Sequence, residues 1–274
     1  MATISLLSLC LLATLSVVTS TPFEEVLCGT SDYPGDHAGE RIIHGAVVPQ
    51  GKYPWLAQLD PTGCTATILS RRFVLTATHC VLEHDPDKEK VTITVGSVNK
   101  HDGQKIRVKR VVPYEHSVNP NDIAIIELEE ELSFSKDIRP ICLSGKHQVG
   151  DPDKNVVITG WGEITGYGDD PDVLHEGTAR ILSDAMCKGY KSMYTPETLI
   201  CMGSHNGTAP WHGDSGGPAL LHEGKRWTQI GITSYGMAHE DGSADLAWPS
   251  AYTRISHFCD WIAENTNNEA KCDD

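Results

Sequence analysis

Short β-branched runs recur along the chain between turn signals: 91–95, 106–112, 123–128, 156–159 and 229–233. Runs this short, punctuated by Gly and Pro and without helical patterns between them, predict an all-β sandwich or barrel. One stretch departs from this. Ile255, Phe258, Cys259 and Ile262 recur at helical spacing and predict a C-terminal helix over 255–265. At the other end, Leu6 to Val18 is apolar apart from Ser and Thr and closes on the small residues Thr19 and Ser20. Such a segment falls short of the roughly 20 residues that span a bilayer, and it predicts a signal peptide over 1–20. Residues 21–41, rich in Gly, Pro and acids and without periodicity, read as a propeptide. Residues 42–274 then form one domain.

Charge and cysteine content narrow the classes. The formal net charge is −15, which argues against a nucleic-acid or anionic-membrane partner, since both reward clusters of Lys and Arg. Of the 9 cysteines, Cys10 leaves with the signal peptide. Cys28, Cys64, Cys80, Cys142, Cys187, Cys201, Cys259 and Cys272 remain, an even set that implies disulfides in an oxidising compartment. None has the CxxC spacing of a zinc site. Glu83, Asp85, Asp87 and Glu89 read as a solvated acidic loop rather than a calcium site, so neither metal nor cofactor is expected.

The chemistry concentrates in three segments. Ser215 lies in Gly213-Asp-Ser-Gly-Gly-Pro218, where glycines let the backbone turn sharply and approach a substrate carbonyl. GxSxG also fits the nucleophile elbow of α/β-hydrolases, but those enzymes run Ser, acid, His, and here the candidate His and Asp both precede the Ser. His79 closes an apolar strand in Leu75-Thr-Ala-Thr-His-Cys80, and Asp122 opens another in Asn121-Asp-Ile-Ala-Ile125. A serine hydroxyl is a poor nucleophile at neutral pH. It needs an imidazole as base and a buried carboxylate to orient that imidazole.

With Gly160-Trp-Gly162, these blocks resemble the signatures of the chymotrypsin/trypsin family of serine proteases, over about Ile42 to Ile262. The resemblance implies two packed six-stranded antiparallel β-barrels with a C-terminal helix and an active site in the cleft between the barrels. It makes His79 the general base, Asp122 its orienting partner and Ser215 the nucleophile, with the N–H groups of Gly213 and Ser215 as the oxyanion hole. Arg41-Ile-Ile-His-Gly45 resembles the family's activation site. A cut after Arg41 would free the Ile42 amino group to pair with Asp214, although His44 stands where Gly is usual. The implied disulfides are Cys64–Cys80, Cys187–Cys201 and Cys28–Cys142, the last keeping the propeptide attached; Cys259–Cys272 is left to staple the tail to the final helix. Two family bridges are absent, with Val156 and Leu221 in place of one pair and Trp211 in place of half of the other.

The same resemblance puts Ala209 at the base of the specificity pocket, with His212, Ser234, Tyr235, Gly236 and Ser250 around it. With no acid at the base, a buried Lys or Arg would lack a partner, so cleavage after apolar residues is expected. The alternative is cleavage after Arg or Lys, should Glu240, Asp241 or Asp245 enter the pocket. A further alternative is a non-catalytic binding or regulatory relative, suggested by Thr65-Ala-Thr67 where the family commonly has glycines after the cysteine. Asn206-Gly-Thr208 is a glycosylation sequon. The expected partners are a peptide or protein substrate, an activating protease and a protein inhibitor, acting on a secreted, monomeric protein.

Overall fold

A computed structural model describes residues 27–33, 45–82, 91–114, 120–146, 152–164, 168–169, 171–204 and 208–273. The signal-peptide segment, Arg41, Ile42, the acidic stretch 83–90 and Asn206 lie outside the described residues. The expected β-rich runs are strands, often longer at their polar ends than the apolar pattern alone marks. β1 is Ala46–Val47; β2 Leu56–Asp60, β3 Cys64–Ile68, β4 Phe73–Thr76, β5 Thr92–Val95, β6 Gln104–Pro113 and β7 Ala124–Leu128 follow. The last six close into a barrel in the order β2-β3-β4-β7-β6-β5, with β5 returning antiparallel to β2.

β8 (Cys142–Ser144) leads into a second set: β9 Asn155–Gly160, β10 His175–Ile181, β11 Leu199–Ser204, β12 Pro218–Glu223, β13 Arg226–Tyr235 and β14 Ser250–Arg254. These six also close, in the order β12-β9-β10-β11-β14-β13, and the β12–β13 pairing completes the ring. β8 joins β13 in parallel, the terminal β15 (Cys272–Asp273) joins β8, and β1 adds to β10.

Burial explains which strands face the cleft. β3, β4 and β7 are buried on both faces, whereas β6 turns half of its residues to solvent. A strand with only one dry face alternates, so continuous burial marks the strands trapped between one barrel's interior and its neighbours. Tyr53, Trp55 and Trp227 join the barrels, with ring centroids of 5.3 Å for Tyr53–Trp227 and 6.3 Å for Trp55–Trp227. Beside them the buried Lys52 ammonium lies 2.6 Å from the equally buried Glu176 carboxylate, which also accepts a bond from Tyr53 Oη at 2.5 Å. In the second barrel, Val156 and Leu221 belong to one apolar cluster with Ile158, Ile181 and Tyr252. Apolar packing thus fills the ground where the family carries a disulfide.

The C-terminal helix is broken. Ile255–His257 is a 3-10 turn and α-helical structure runs over Cys259–Asn265, with α1 (His79–Leu82) far upstream. The break falls at Phe258, φ −106°, whose ring packs edge-on against Tyr114 at 4.9 Å and so interrupts the expected continuous helix. Disulfides join Cys28 to Cys142, Cys64 to Cys80, Cys187 to Cys201 and Cys259 to Cys272.

Candidate active site

Asp122 sits in the loop entering β7 and is 1% exposed. Its oxygens are saturated by donors. Oδ1 accepts the His79 backbone N–H at 3.0 Å; Oδ2 accepts His79 Nδ1 at 2.7 Å and Ser234 Oγ at 2.5 Å. A carboxylate held this way fixes its imidazole partner in one orientation and places the proton on Nδ1, leaving Nε2 to act as base. The backbone around the pair is pinned as well: Thr78 Oγ1 donates to Ile123 O at 2.6 Å and Thr253 Oγ1 to Asp122 O at 2.8 Å. Ser234, expected as a pocket residue, therefore spends its hydroxyl on Asp122 while still lining the cavity described below.

Ser215 belongs to the turn between Trp211 and β12. Thr65 N donates to Ser215 O at 2.9 Å, and Thr65 Oγ1 donates to Gly213 O at 2.9 Å. β3 of the first barrel thus holds the serine loop of the second. The Cys64–Cys80 bridge ties the same strand to the residue after His79. Gly213 has φ +94°, a conformation that needs glycine, and a Cβ there would meet Gly162 Cα at 2.8 Å. Among the described residues, neither Gly213 N–H nor Ser215 N–H donates to a backbone carbonyl. Two N–H groups that flank Asp214 and give no bond to a backbone carbonyl suit a developing oxyanion.

Asp214, between them, points the other way. Its carboxylate is buried and accepts N–H bonds from Gly162 and Trp211, each at 2.9 Å. No cation faces it among the described residues, and burial pushes its carboxyl up to about 7 despite those two bonds. Gly160 and Gly162 make this seat possible: a Cβ on either would stand 2.1 Å or 2.7 Å from Asp214 Oδ1. The Gly-Trp-Gly block is therefore the mould for an acid that follows it by more than fifty residues.

A cavity of ≈ 270 Å³ opens beside Ser215, lined by Pro210, Trp211, His212, Thr233, Ser234, Tyr235, Gly236 and Ala238. His212, Ser234, Tyr235 and Gly236 were expected there. Ala209 and Ser250, expected at its base and wall, are buried and do not line it. Among the described residues, no acid lines it either. Asp241 accepts Ser243 N and Oγ, and Asp245 accepts Ala247 N, so both are used within their own loop. Sequence reading missed the contact of Thr65 with Gly213 and the position of Trp211. Each departure from the family pattern was visible, but where the new side chain goes was not. The described residues gather Cys64, His79 and Cys80, but the disulfide between the two cysteines removes their thiolates as metal ligands.

Comparison with known proteins agrees with this geometry. The family model described as Trypsin matches residues 42–262. Transmembrane protease serine 11C of Mus musculus is 32% identical over 241 residues, covering 84% of this chain and 54% of the relative. Atrial natriuretic peptide-converting enzyme of Homo sapiens is 32% identical over 255 residues, covering 86% of this chain and 24% of the relative. The chain thus spans about half the length, or less, of these curated relatives. A solved structure of neuropsin, a serine protease of mouse brain, superposes with a TM-score of 0.69 at 27% identity, over 81% of this chain and 98% of that one.

Proposed function

The chain belongs to the trypsin family of serine proteases, and on that premise we propose that it is an exported serine endopeptidase whose nucleophile is Ser215. The observation that carries the reading is the saturated Asp122 carboxylate, which orients His79 through a 2.7 Å bond to Nδ1. In this reading Nε2 takes the Ser215 proton as Oγ attacks the scissile carbonyl. The N–H groups of Gly213 and Ser215 hold the oxyanion. His79 then returns the proton to the leaving amine, and water releases the acyl group from Ser215 by the same steps in reverse order. Each oxyanion donor contributes on the order of 3 kcal/mol to the transition state.

Activation is the second part of the proposal. Cleavage after Arg41 releases an Ile42 ammonium, and the buried Asp214 carboxyl is the group to receive it, the ammonium's charge drawing off its proton. Residues 1–20 are removed on export, 21–41 are the propeptide and 42–274 the protease. The active protein is extracellular and monomeric. It serves a peptide or protein substrate and answers to an activating protease and a protein inhibitor, with a glycan on Asn206. Among the described residues, no helix is long and apolar enough to cross a membrane. The absence of an acid from the cavity supports cleavage after apolar residues.

The test is to cleave the purified protein after Arg41 and compare fluorophosphonate labelling and peptide hydrolysis for native protein and Ser215→Ala. Labelling of the native protein alone supports the reading. No labelling despite a confirmed Ile42 terminus refutes it and favours a binding protein on the same fold.

A further inference from the structure

Trp211 lines the cavity beside Ser215, while Ala209, expected at its base, and Ser250, expected on a wall, are buried and do not line it. The wall opposite Trp211 is Gly236. A Cβ added there would stand 3.9 Å from Trp211 Cζ3 and 3.3 Å from Ser250 Oγ. A methyl group on that wall would therefore touch the indole edge and crowd the serine hydroxyl. The space between the walls is not a slot open to a long side chain.

Three further observations bear on the position of the indole. Its ring stacks on His212, with centroids 4.8 Å apart and planes at 21°. The loop after Gly236 offers no cysteine to bridge across; instead it folds on itself, with Asp245 N donating to Met237 O and His239 N to Ser243 O. The indole Nε1 is buried, with no hydrogen-bond partner among the described residues. A donor that the protein leaves unpaired is not what positions this ring, so shape and stacking do.

We propose that Trp211 is the floor of the substrate pocket and that it restricts the residue before the scissile bond to a small apolar side chain of the alanine or valine class. The proposal rests on the reading of Ser215 as nucleophile and narrows its substrate class. Leu, Phe, Lys and Arg side chains must displace the indole from its stack on His212. Each methylene that fails to fit an apolar pocket costs about ten- to 200-fold in kcat/KM.

The experiment measures kcat/KM of the activated protein, native and Trp211→Gly, on one peptide series with Ala, Val, Leu, Phe or Lys before the scissile bond. Active sites are counted by fluorophosphonate labelling. Native protein is expected to favour Ala or Val over Leu and Phe by about tenfold or more, and Trp211→Gly to raise the Phe-to-Ala ratio by about tenfold or more. Native protein that labels but prefers Leu, Phe or Lys overturns the proposal. So does a Phe-to-Ala ratio in Trp211→Gly within about threefold of native. Should Trp211→Gly fail to fold, Trp211→Val reports the same ratio, and the native preference decides by itself. Native protein that does not label refutes the nucleophile reading rather than the pocket floor.

Discussion

Replacing Asp214 by Asn in the uncleaved chain changes one buried charge and little volume. Burial pushes the Asp214 carboxyl up to about 7, against two N–H bonds that favour the anion, whereas an aspartate in an unfolded chain titrates near ~3.9. The folded state therefore keeps a proton, between about pH 4 and 7, that the unfolded state releases. Stability tied to this group is fully present below about pH 4 and is lost as pH rises to about 7. A gap of about three pH units, at 1.36 kcal/mol each, amounts to about 4 kcal/mol. Urea unfolding of uncleaved native protein and Asp214→Asn, both carrying Ser215→Ala, measures it. The Asn protein is expected to gain on native from about pH 4 to about 7, by several kcal/mol in all, and to level off by about pH 8. Identical pH slopes for the two proteins would refute the reasoning. After cleavage the sign should invert, because an Ile42 ammonium beside the carboxylate favours its charged form and Asn offers that ammonium nothing equivalent.

Two other substitutions test the joints between the barrels. Thr65→Val keeps the shape but removes the hydroxyl bound to Gly213 O. Leaving that carbonyl short of a partner costs about 1–3 kcal/mol, and kcat should fall more than KM rises, with Thr65→Ser restoring the loss. Lys52→Met removes the cation beside the buried Glu176 carboxylate, which keeps its bond from Tyr53 Oη, and breaking such a pair costs about 3–5 kcal/mol. Urea unfolding at neutral pH should show that loss, and much of it should return in Lys52→Met with Glu176→Gln.

The architecture was largely legible because its signals are local. β5, β7 and β9 follow β-branched runs almost residue for residue, and the three chemical segments carry their glycines, His, Asp and Ser in one order. What stayed hidden depends on contacts far apart in the chain. β1, β8 and β15 have two or three residues each, too few for any period to register, and they are strands because a partner edge waits for them. The helix over 255–265 reads as continuous since spacing alone cannot show that Phe258 must tilt onto Tyr114. Ala209 and Ser250 align with pocket positions, but a pocket is bounded by whichever side chain reaches furthest in, and the rotamer of Trp211 is not written in the spacing of the residues around it. Thr65 looks like a lost glycine until its hydroxyl is found on Gly213.

Residues 27–33 bear on what activation does to the molecule as an object. Cys28 is bonded to Cys142, Gly29 N donates to Pro140 O, Trp227 N donates to Gly29 O, and Arg139 reaches Asp32 at 2.7 Å. A cut at Arg41 would then alter connectivity and add only one water to the mass. One polypeptide becomes a two-chain particle that migrates unchanged until a reductant is added. The segment 27–33 would thus stay on the body of the protein through one disulfide and its hydrogen bonds, whatever happens to the peptide bond after Arg41.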